Sequence, residues 1–317
     1  SITWDTARSR WILQTERGTS TADHVVLATG ALADPAIPDI ADLHTFSGPV
    51  FHSAQWDHSV DLTNRRVAVV GTGASAIQFV PQIQPLVSSL TLFQRTAPWV
   101  MPRNDAPISR RTRAATRWIP GVQKLRRAKV FTVRELKLAA FRHPRLMAIG
   151  EKEARAHLAH AVADPALRAK LTPDYRMGCK RILISDNYYP ALAQPNVDVH
   201  TTGIARATAR GLIDADGVEH DVDVIIFGTG FDTSRLPLTD AVTGPEGYTL
   251  SEHWGESQRA YMGTSVAGFP NLYLMHGPNI GLGHTSVIMM LESQMRYIAA
   301  AMTLRLSLIH ISEPTRP

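Results

Sequence analysis

The chain is 317 residues long, 44% hydrophobic and 19% charged, which fits a folded protein of about two domains and excludes disordered and collagen-like classes. No apolar run approaches the roughly 18–20 residues of a membrane span; the single cysteine, Cys179, excludes an internal disulfide and any CxxC redox or zinc pair, and a reducing, cytoplasmic setting is expected. The net charge of +5 is uneven, because residues 103–145 hold 13 Lys and Arg against Asp105 and Glu135, a local +11 that leaves about −6 elsewhere. Its few aromatic residues, Trp118, Phe131 and Phe141, are not read as a base-stacking platform, so that stretch reads as a solvated helical face, and no nucleic-acid partner is expected.

In chain order, Ser1-Ile2-Thr3-Trp4-Asp5 and residues 10–16 alternate as half-buried strands do. The first residue is not Met and the first five read as the middle of a strand, so no signal peptide is expected among them. His24 to Gly30 is a buried strand ending in Thr29-Gly30, followed by a linker punctuated by Pro35, Pro38 and Pro49. Arg66 to Val70, the turn Gly71-Thr72-Gly73-Ala74-Ser75-Ala76, a helical pattern through Ile83 and the strand Leu90–Phe93 make a β-α-β unit. Residues 105–170 have helical periodicity and look inserted. Strands resume at 197–200, 212–214 and 223–230, the last ending in Thr229-Gly230. A β-meander leading to a Thr-Gly strand end thus occurs at 1–30 and again at 197–230, a weak repeat that suggests two related nucleotide-binding domains. Asn271–Leu274 reads as a strand, 275–284 as a Gly-rich loop, and 285–303 as a helix with the stripe Ile288, Leu291, Met295, Ile298 and Met302. Residues 306–317 have neither helical nor strand period and resemble the translation of a sequencing-library adaptor, so the natural chain is expected to be cut near Arg305.

The chemistry concentrates at the 71–76 turn. Gly71 permits the tight turn, Gly73 lets a pyrophosphate approach the backbone, and Ala76 still allows close helix packing. The free N–H groups and positive dipole end of the helix start suit phosphate, with Ala74 and Ser75 on the approach. An NAD site places an acid at the end of the second strand. Here the sequence is Phe93-Gln94-Arg95-Thr96, and Arg95 lies 24 positions after Gly71, close to the expected ~20. A cation with a neighbouring hydroxyl suits a 2′-phosphate, hence NADP(H).

Phe46-Ser47-Gly48-Pro49-Val50-Phe51-His52-Ser53-Ala54-Gln55-Trp56-Asp57 fits F-x-G-x-x-x-H-x-x-x-W-[P/D] at Phe46, Gly48, His52, Trp56 and Asp57. In this segment the chain resembles the type I Baeyer–Villiger monooxygenases. Flavin-containing N/S-monooxygenases share the first part and usually lack the Trp-Asp ending. Arg95–Trp99, Gly178-Cys179-Lys180-Arg181, Thr229-Gly230-Phe231-Asp232 and Gly277-Pro278-Asn279 are also similar to that family's landmarks, so the resemblance extends over residues 1–305. It implies an α/β fold of two Rossmann-like domains, the NADP domain inserted in the FAD domain, with a helical insertion. The expected division is 1–60 as the end of a first FAD segment and linker, 61–104 and 171–230 as the NADP domain, 105–170 as the insertion, 231–305 as the return to the FAD domain, and 306–317 as the adaptor-derived tail.

The resemblance implies FAD and NADPH as cofactors, with O2 and a ketone as substrates. The expected reaction gives an ester or lactone through a C4a-peroxyflavin, and N- or S-oxygenation is the alternative. By resemblance Arg181 is the catalytic arginine, a fixed cation beside the developing anion. Lys180 helps hold the 2′-phosphate, and Asn279, Leu282 and Gly283 belong to a loop under the flavin whose following helix start favours negative charge. His276 and His284 are not expected to act as bases, and no metal is expected. The family's first FAD glycine motif is absent, so the fragment is expected to hold FAD poorly, to be inactive, and to behave as a non-catalytic NADP-binding module.

Overall fold

The computed structural model describes the backbone of residues 1–234, 236–281 and 286–312, and their side chains except at 134, 136–142, 144 and 305–312. Two compact units divide the chain: a split unit, 1–34 with 231–317, and a central unit, 35–230. This boundary falls between Asp34 and Pro35, so the Pro-punctuated linker and the 46–57 fingerprint lie within the central unit.

The split unit starts with β1 (Ile2–Asp5), β2 (Arg10–Thr15) and β3 (Gly18–Ala22), an antiparallel meander, and then the short strand β4 (Val25–Leu27). Trp4 pairs opposite Trp11, and the two rings meet edge to face at 5.2 Å. The Trp11 indole is fully buried, and its N–H donates to the Pro270 carbonyl at 2.9 Å, so the burial leaves no polar atom unsatisfied there.

The central unit continues with β5 (Val50–His52), β6 (Arg66–Val70), α1 (Ala76–Ile83), β7 (Ser89–Phe93) and β8 (Val100–Met101). The expected helical insertion follows as α2 (Arg110–Trp118), α3 (Val122–Arg142), α4 (Pro144–Ala161) and α5 (Pro165–Lys170). Then come β9 (Leu183–Ile184), α6 (Tyr188–Leu192), β10 (Val197–His200), β11 (Ile204–Thr208), β12 (Gly211–Asp214), β13 (Glu219–Asp221) and β14 (Val224–Phe227).

Five strands form a wholly parallel sheet in the order β10-β7-β6-β14-β5. At its centre Val67–Val70 of β6 and the whole of β14 are apolar and buried, as strands covered on both faces tend to be. Alternation along β6 and β14 assigns Val67, Val69, Val224 and Ile226 to one core with Ala76, Ile77, Val80 and Ile83 of α1. Ala68, Val70, Ile225 and Phe227 belong to the other, with Leu212 and Ala207 of the antiparallel β11-β12-β13 meander. Helices cover one face and a meander the other.

The split unit resumes with β15 (Val242–Thr243), α7 (Leu250–Trp254), β16 (Leu272–Leu274) and α8 (Val287–Ser312). β15 joins β1 and β16 joins β4, both in parallel.

Four sequence expectations need correction. The linker contains a strand, β5, at the edge of the parallel sheet; three residues after Pro49 are too few to show a period. Residues 197–200 do not start the second meander but close the other edge of the parallel sheet, and the meander is β11–β13. The basic stretch is a solvated face at α2, which buries none of its residues, but that face also exposes apolar side chains, Trp118, Leu125 and Phe131, with the Arg117 guanidinium stacked on Trp118 at 5.1 Å. Finally, α8 is rotated from the expected stripe and continues to Ser312, because neither Gly nor Pro stops it before Pro314. Of that stripe Ile298 is buried, whereas Ile288 and Met295 are exposed and Gln294, outside it, is buried. Gln294 is held inside because its amide accepts from the His276 N–H and donates to Gly263 O and Thr264 Oγ1, which hydrophobic periodicity does not register. Among the described residues no helix is long and apolar enough to cross a membrane.

Candidate nucleotide-binding site

At the carboxyl ends of β6, β7 and β14 lies a cavity of about 600 Å³, entirely within the central unit. Three consecutive strand ends supply its floor: Val70 to Gly73, Phe93 to Thr96, and Gly228 to Gly230. This is where an open parallel sheet binds ligands, at the point where strand order reverses from β6 outward.

The turn is built by backbone approach. Gly71 has φ +105°, and a Cβ there would sit 2.6 Å from the Gly228 carbonyl oxygen. Both the dihedral and the space exclude a side chain. Gly73 differs, since a Cβ would come no closer than 3.6 Å to Gly228 O, so its lack of a side chain serves the cavity rather than the packing. Ala76 is fully buried, and a Cβ on Gly228 would lie 3.3 Å from the Ala76 methyl, so helix and strand pack closely here. The Ser75 side chain makes no cap to the start of α1. The N–H groups of Ile77 and Gln78 already donate to the Gly73 and Ser75 carbonyls, so a phosphate here would be met by the earlier N–H groups of the turn, from Gly73 to Ala76.

The cations come from two places. Arg95 is exposed two residues beyond β7, and Thr96 holds the turn through its carbonyl, which accepts from Thr72 Oγ1 at 3.2 Å. Lys180 arrives from 85 residues further on, because β8 pairs in parallel with β9 (Val100 with Leu183) and returns the chain beside the end of β7. Its ammonium stands 4.8 Å over the Tyr175 ring. The cavity thus gathers Gly71, Gly73, Arg95, Thr96, Lys180, Thr229 and Gly230. Ala74 is exposed and Ser75 half-buried at the helix entry. Asp39 and Thr202, from loops, and Ile204, at the start of β11, also line the cavity; none of them belongs to a sequence motif.

Arg181 is not part of the cavity lining; it is exposed and, among the described residues, makes no hydrogen bond or ion pair. In the split unit, Thr29 and Gly30 border a cleft of only about 10 Å³ with Leu236 and Met275. Asn279, at φ +64°, lines a different cavity of about 470 Å³ with Met262, Ile280, Gln294 and Tyr297. The described residues therefore do not unite Thr29-Gly30 with Asn279 in one pocket. β4 and β16 nevertheless run side by side, so the Thr29-Gly30 turn and the 275–281 loop leave the sheet at the same end. Leu282, Gly283 and His284 lie outside the described residues.

The fingerprint residues support the site. A Cβ on Gly48 would collide with the Asp223 carbonyl oxygen and with the Phe46 ring, which is buried in the meander-side core. Trp56 packs edge to face against Phe51 at 5.2 Å and Phe79 of α1 at 5.4 Å, so it fixes the helix that follows the glycine turn. Asp57 accepts from the Ser59 N–H and Oγ, which holds its carboxyl below the usual range. His52 is buried in β5, where its Nδ1 accepts from the Ala54 N–H. Burial holds its imidazole below the ordinary value, opposed by the backbone of Gly230 at the cavity edge. Residues Asp223 and Arg66 lock the far ends of β14 and β6 through a 2.7 Å ion pair, which holds the Asp223 carboxyl low.

Residues 4–244 match the model of the flavin-binding monooxygenase-like family. A Baeyer-Villiger monooxygenase of Streptomyces coelicolor is 54% identical over 299 residues, 94% of this chain and 58% of that protein. One from Pseudomonas aeruginosa is 48% identical over 306 residues, 96% of this chain and again 58% of that protein. The crystal structure of cyclohexanone monooxygenase from Rhodococcus sp. Phi1 bound to NADP+ is similar with a TM-score of 0.80 at 25% identity, covering 96% of this chain and 64% of that one. This chain thus spans less than two thirds of the length of each of these proteins. With a matching family model over most of its length and the glycine turn in a parallel sheet, the chain belongs to the flavin-binding monooxygenase-like family.

Proposed function

We propose that this chain is the nucleotide-binding part of an FAD- and NADPH-dependent Baeyer–Villiger monooxygenase, which converts a ketone to an ester or lactone. The observation that carries the reading is the central-unit cavity, where a glycine cradle faces Arg95, Thr96 and Lys180. Its volume and chemistry fit NADP(H). The α1 start and the Gly71–Gly73 turn would take the pyrophosphate, and Arg95 with Thr96 the 2′-phosphate, Lys180 adding a second positive charge. In the split unit, Thr29-Gly30 and the loop bearing Asn279 would contact FAD, since they leave β4 and β16 at the same end.

FAD, when bound and reduced by NADPH, supplies the activation of O2; the protein supplies binding, orientation and electrostatics. Arg181 supplies a guanidinium, and in the role that the family resemblance gives it this cation would stabilise the negative charge that grows on the ketone oxygen. His52 is buried in β5, and its role here is structural, at the edge of the sheet beside the Gly230 backbone.

The test uses a protein with the length of the Streptomyces relative, containing these 317 residues. Supplied with NADPH and O2, it should turn a ketone into an ester with one NADPH consumed per product. Oxidation of a sulfide or amine with no ester from any ketone would favour N- or S-oxygenation. The 317-residue chain alone should bind NADP+ without turnover.

A further inference from the structure

Three segments of the central unit converge on the Phe93 ring. His200 ends β10, Asp214 ends β12 and His220 lies in β13. Both imidazoles pack on Phe93, at 5.7 and 5.3 Å, and meet each other edge to face at 4.3 Å. One ligand-capable atom from each of His200, Asp214 and His220 lies within 4.8 Å of the others. Asp214 and His220 are nearly inaccessible, with side-chain exposures of 4% and 9%. The Asp214 carboxylate is fixed, since Oδ1 accepts from the Asp216 and Val218 N–H groups while Oδ2 lies 2.9 Å from His220 Nε2.

We propose that His200, Asp214 and His220 bind one divalent metal ion of the zinc type, in a site that ties β10 to the β12–β13 hairpin. Two imidazoles and a carboxylate are the donor set that Zn²⁺, Co²⁺ and Ni²⁺ accept, and three protein ligands leave a fourth position for water. Bonds of about 2.0–2.1 Å place tetrahedral ligand atoms roughly 3.3 Å apart. The Asp214–His220 pair would open by about 0.4 Å, and His200 would close by at most on the order of 1.5 Å, both within side-chain rotation. A second carboxylate already stands behind the set: Asp198 Oδ2 is 2.9 Å from His200 Nε2. With Nε2 held by Asp198, His200 would ligate through Nδ1, and such carboxylate support of a ligating histidine recurs at metal sites. The ion would sit behind the nucleotide cavity, because the Gln94 N–H donates to the His200 carbonyl at 2.8 Å, and Gln94 and Thr202 line that cavity.

The sequence shows no sign of this site, because its ligands are spread over 21 residues at no familiar spacing. To test it, the untagged 317-residue chain is stripped with chelator, dialysed against Zn²⁺ or Co²⁺, and assayed for metal per chain and for visible Co²⁺ absorption. One ion per chain with a low-coordinate Co²⁺ spectrum is expected. His220→Ala should abolish binding. His200→Ala should do the same without endangering the fold, since His200 is at the partly exposed edge. Asp198→Ala, at an exposed position, should weaken binding about 10–100-fold. Failure of the folded wild-type chain to retain metal, or retention that His200→Ala and Asp198→Ala leave unchanged, would overturn the proposal and leave two ordinary His–Asp hydrogen bonds.

Discussion

The Gly71 turn and the Lys180-Arg181 pair belong to the same unit, yet they are built by opposite means. The turn is set by packing: a Cβ on Gly71 would meet Gly228 O at 2.6 Å, Ala76 is fully buried, and Trp56 braces α1 through Phe79. The cations lie just before β9 of the two-stranded β8–β9 ladder, both side chains exposed, and among the described residues only Lys180 of the two is held, over Tyr175. A phosphate cradle made of backbone has to be rigid before the ligand arrives, because its donors point correctly only if the chain is fixed. A long cation reaches its target by rotation and needs only an anchored backbone. Substitutions at the turn should therefore cost folding and binding together, and substitutions at the pair should cost function alone.

The largest effect is expected where the two costs coincide. Gly71→Ala combines a left-handed backbone with a collision, each worth about 1–3 kcal/mol. It should lower the urea midpoint clearly and abolish NADP+ binding. Gly73→Ala, with no contact closer than 3.6 Å, should fold normally and weaken NADP+ only, so equal destabilisation by the two would break the distinction drawn here.

Next comes Arg181→Ala in a protein of the relatives' length. The exposed guanidinium makes no described contact, so thermal stability and NADP+ affinity should be unchanged. Ester formation should fall by on the order of 10²–10³, the scale for one electrostatic stabiliser. Arg181→Lys should restore little, since a point charge does not reproduce the planar fork. Unchanged ester yield per NADPH would remove Arg181 from the reaction.

Arg95→Ala should act on one cofactor. Loss of a charge-assisted contact to the 2′-phosphate costs about 1.5–3 kcal/mol, or roughly 10–150-fold in NADP+ affinity, and leaves NAD+ nearly unaffected. Equal losses would place 2′-phosphate recognition on Lys180 or elsewhere.

The smallest effect is a pH dependence from His52. Burial depresses its folded-state pKa below the unfolded value of about 6.5. Its contribution is present above that pH and is lost as the pH falls, because the unfolded chain takes up a proton that the folded chain resists. Urea midpoints should decline from pH 7.5 to 5.5, and less steeply in His52→Gln. Parallel slopes would show that His52 does not couple β5 to proton uptake.

The β6-α1-β7 unit and its turn are legible in the sequence because their causes are local: apolar runs, glycine spacing and a helical period. Arg95 is legible for the same reason, by its distance from the turn. Lys180 enters the site only because β8 pairs with β9, two-residue strands too short to carry a pattern, so only the resemblance pointed to it. Asp39 and Thr202 in loops and Ile204 at the start of β11 reach the cavity at positions that follow from long-range packing. The burial of Gln294 escaped for a related reason, as its partners Gly263, Thr264 and His276 are set by the loop it ties and not by the helix it belongs to.

The most direct test of the central claim is calorimetric titration of the 317-residue chain with NADP+ and, separately, with NAD+. The account predicts saturable binding of one NADP+ and a preference over NAD+ of about tenfold or more, set by the charge-assisted contact at Arg95. A folded chain that binds neither nucleotide, or binds both equally, would contradict the reading of the central-unit cavity as an NADP(H) site.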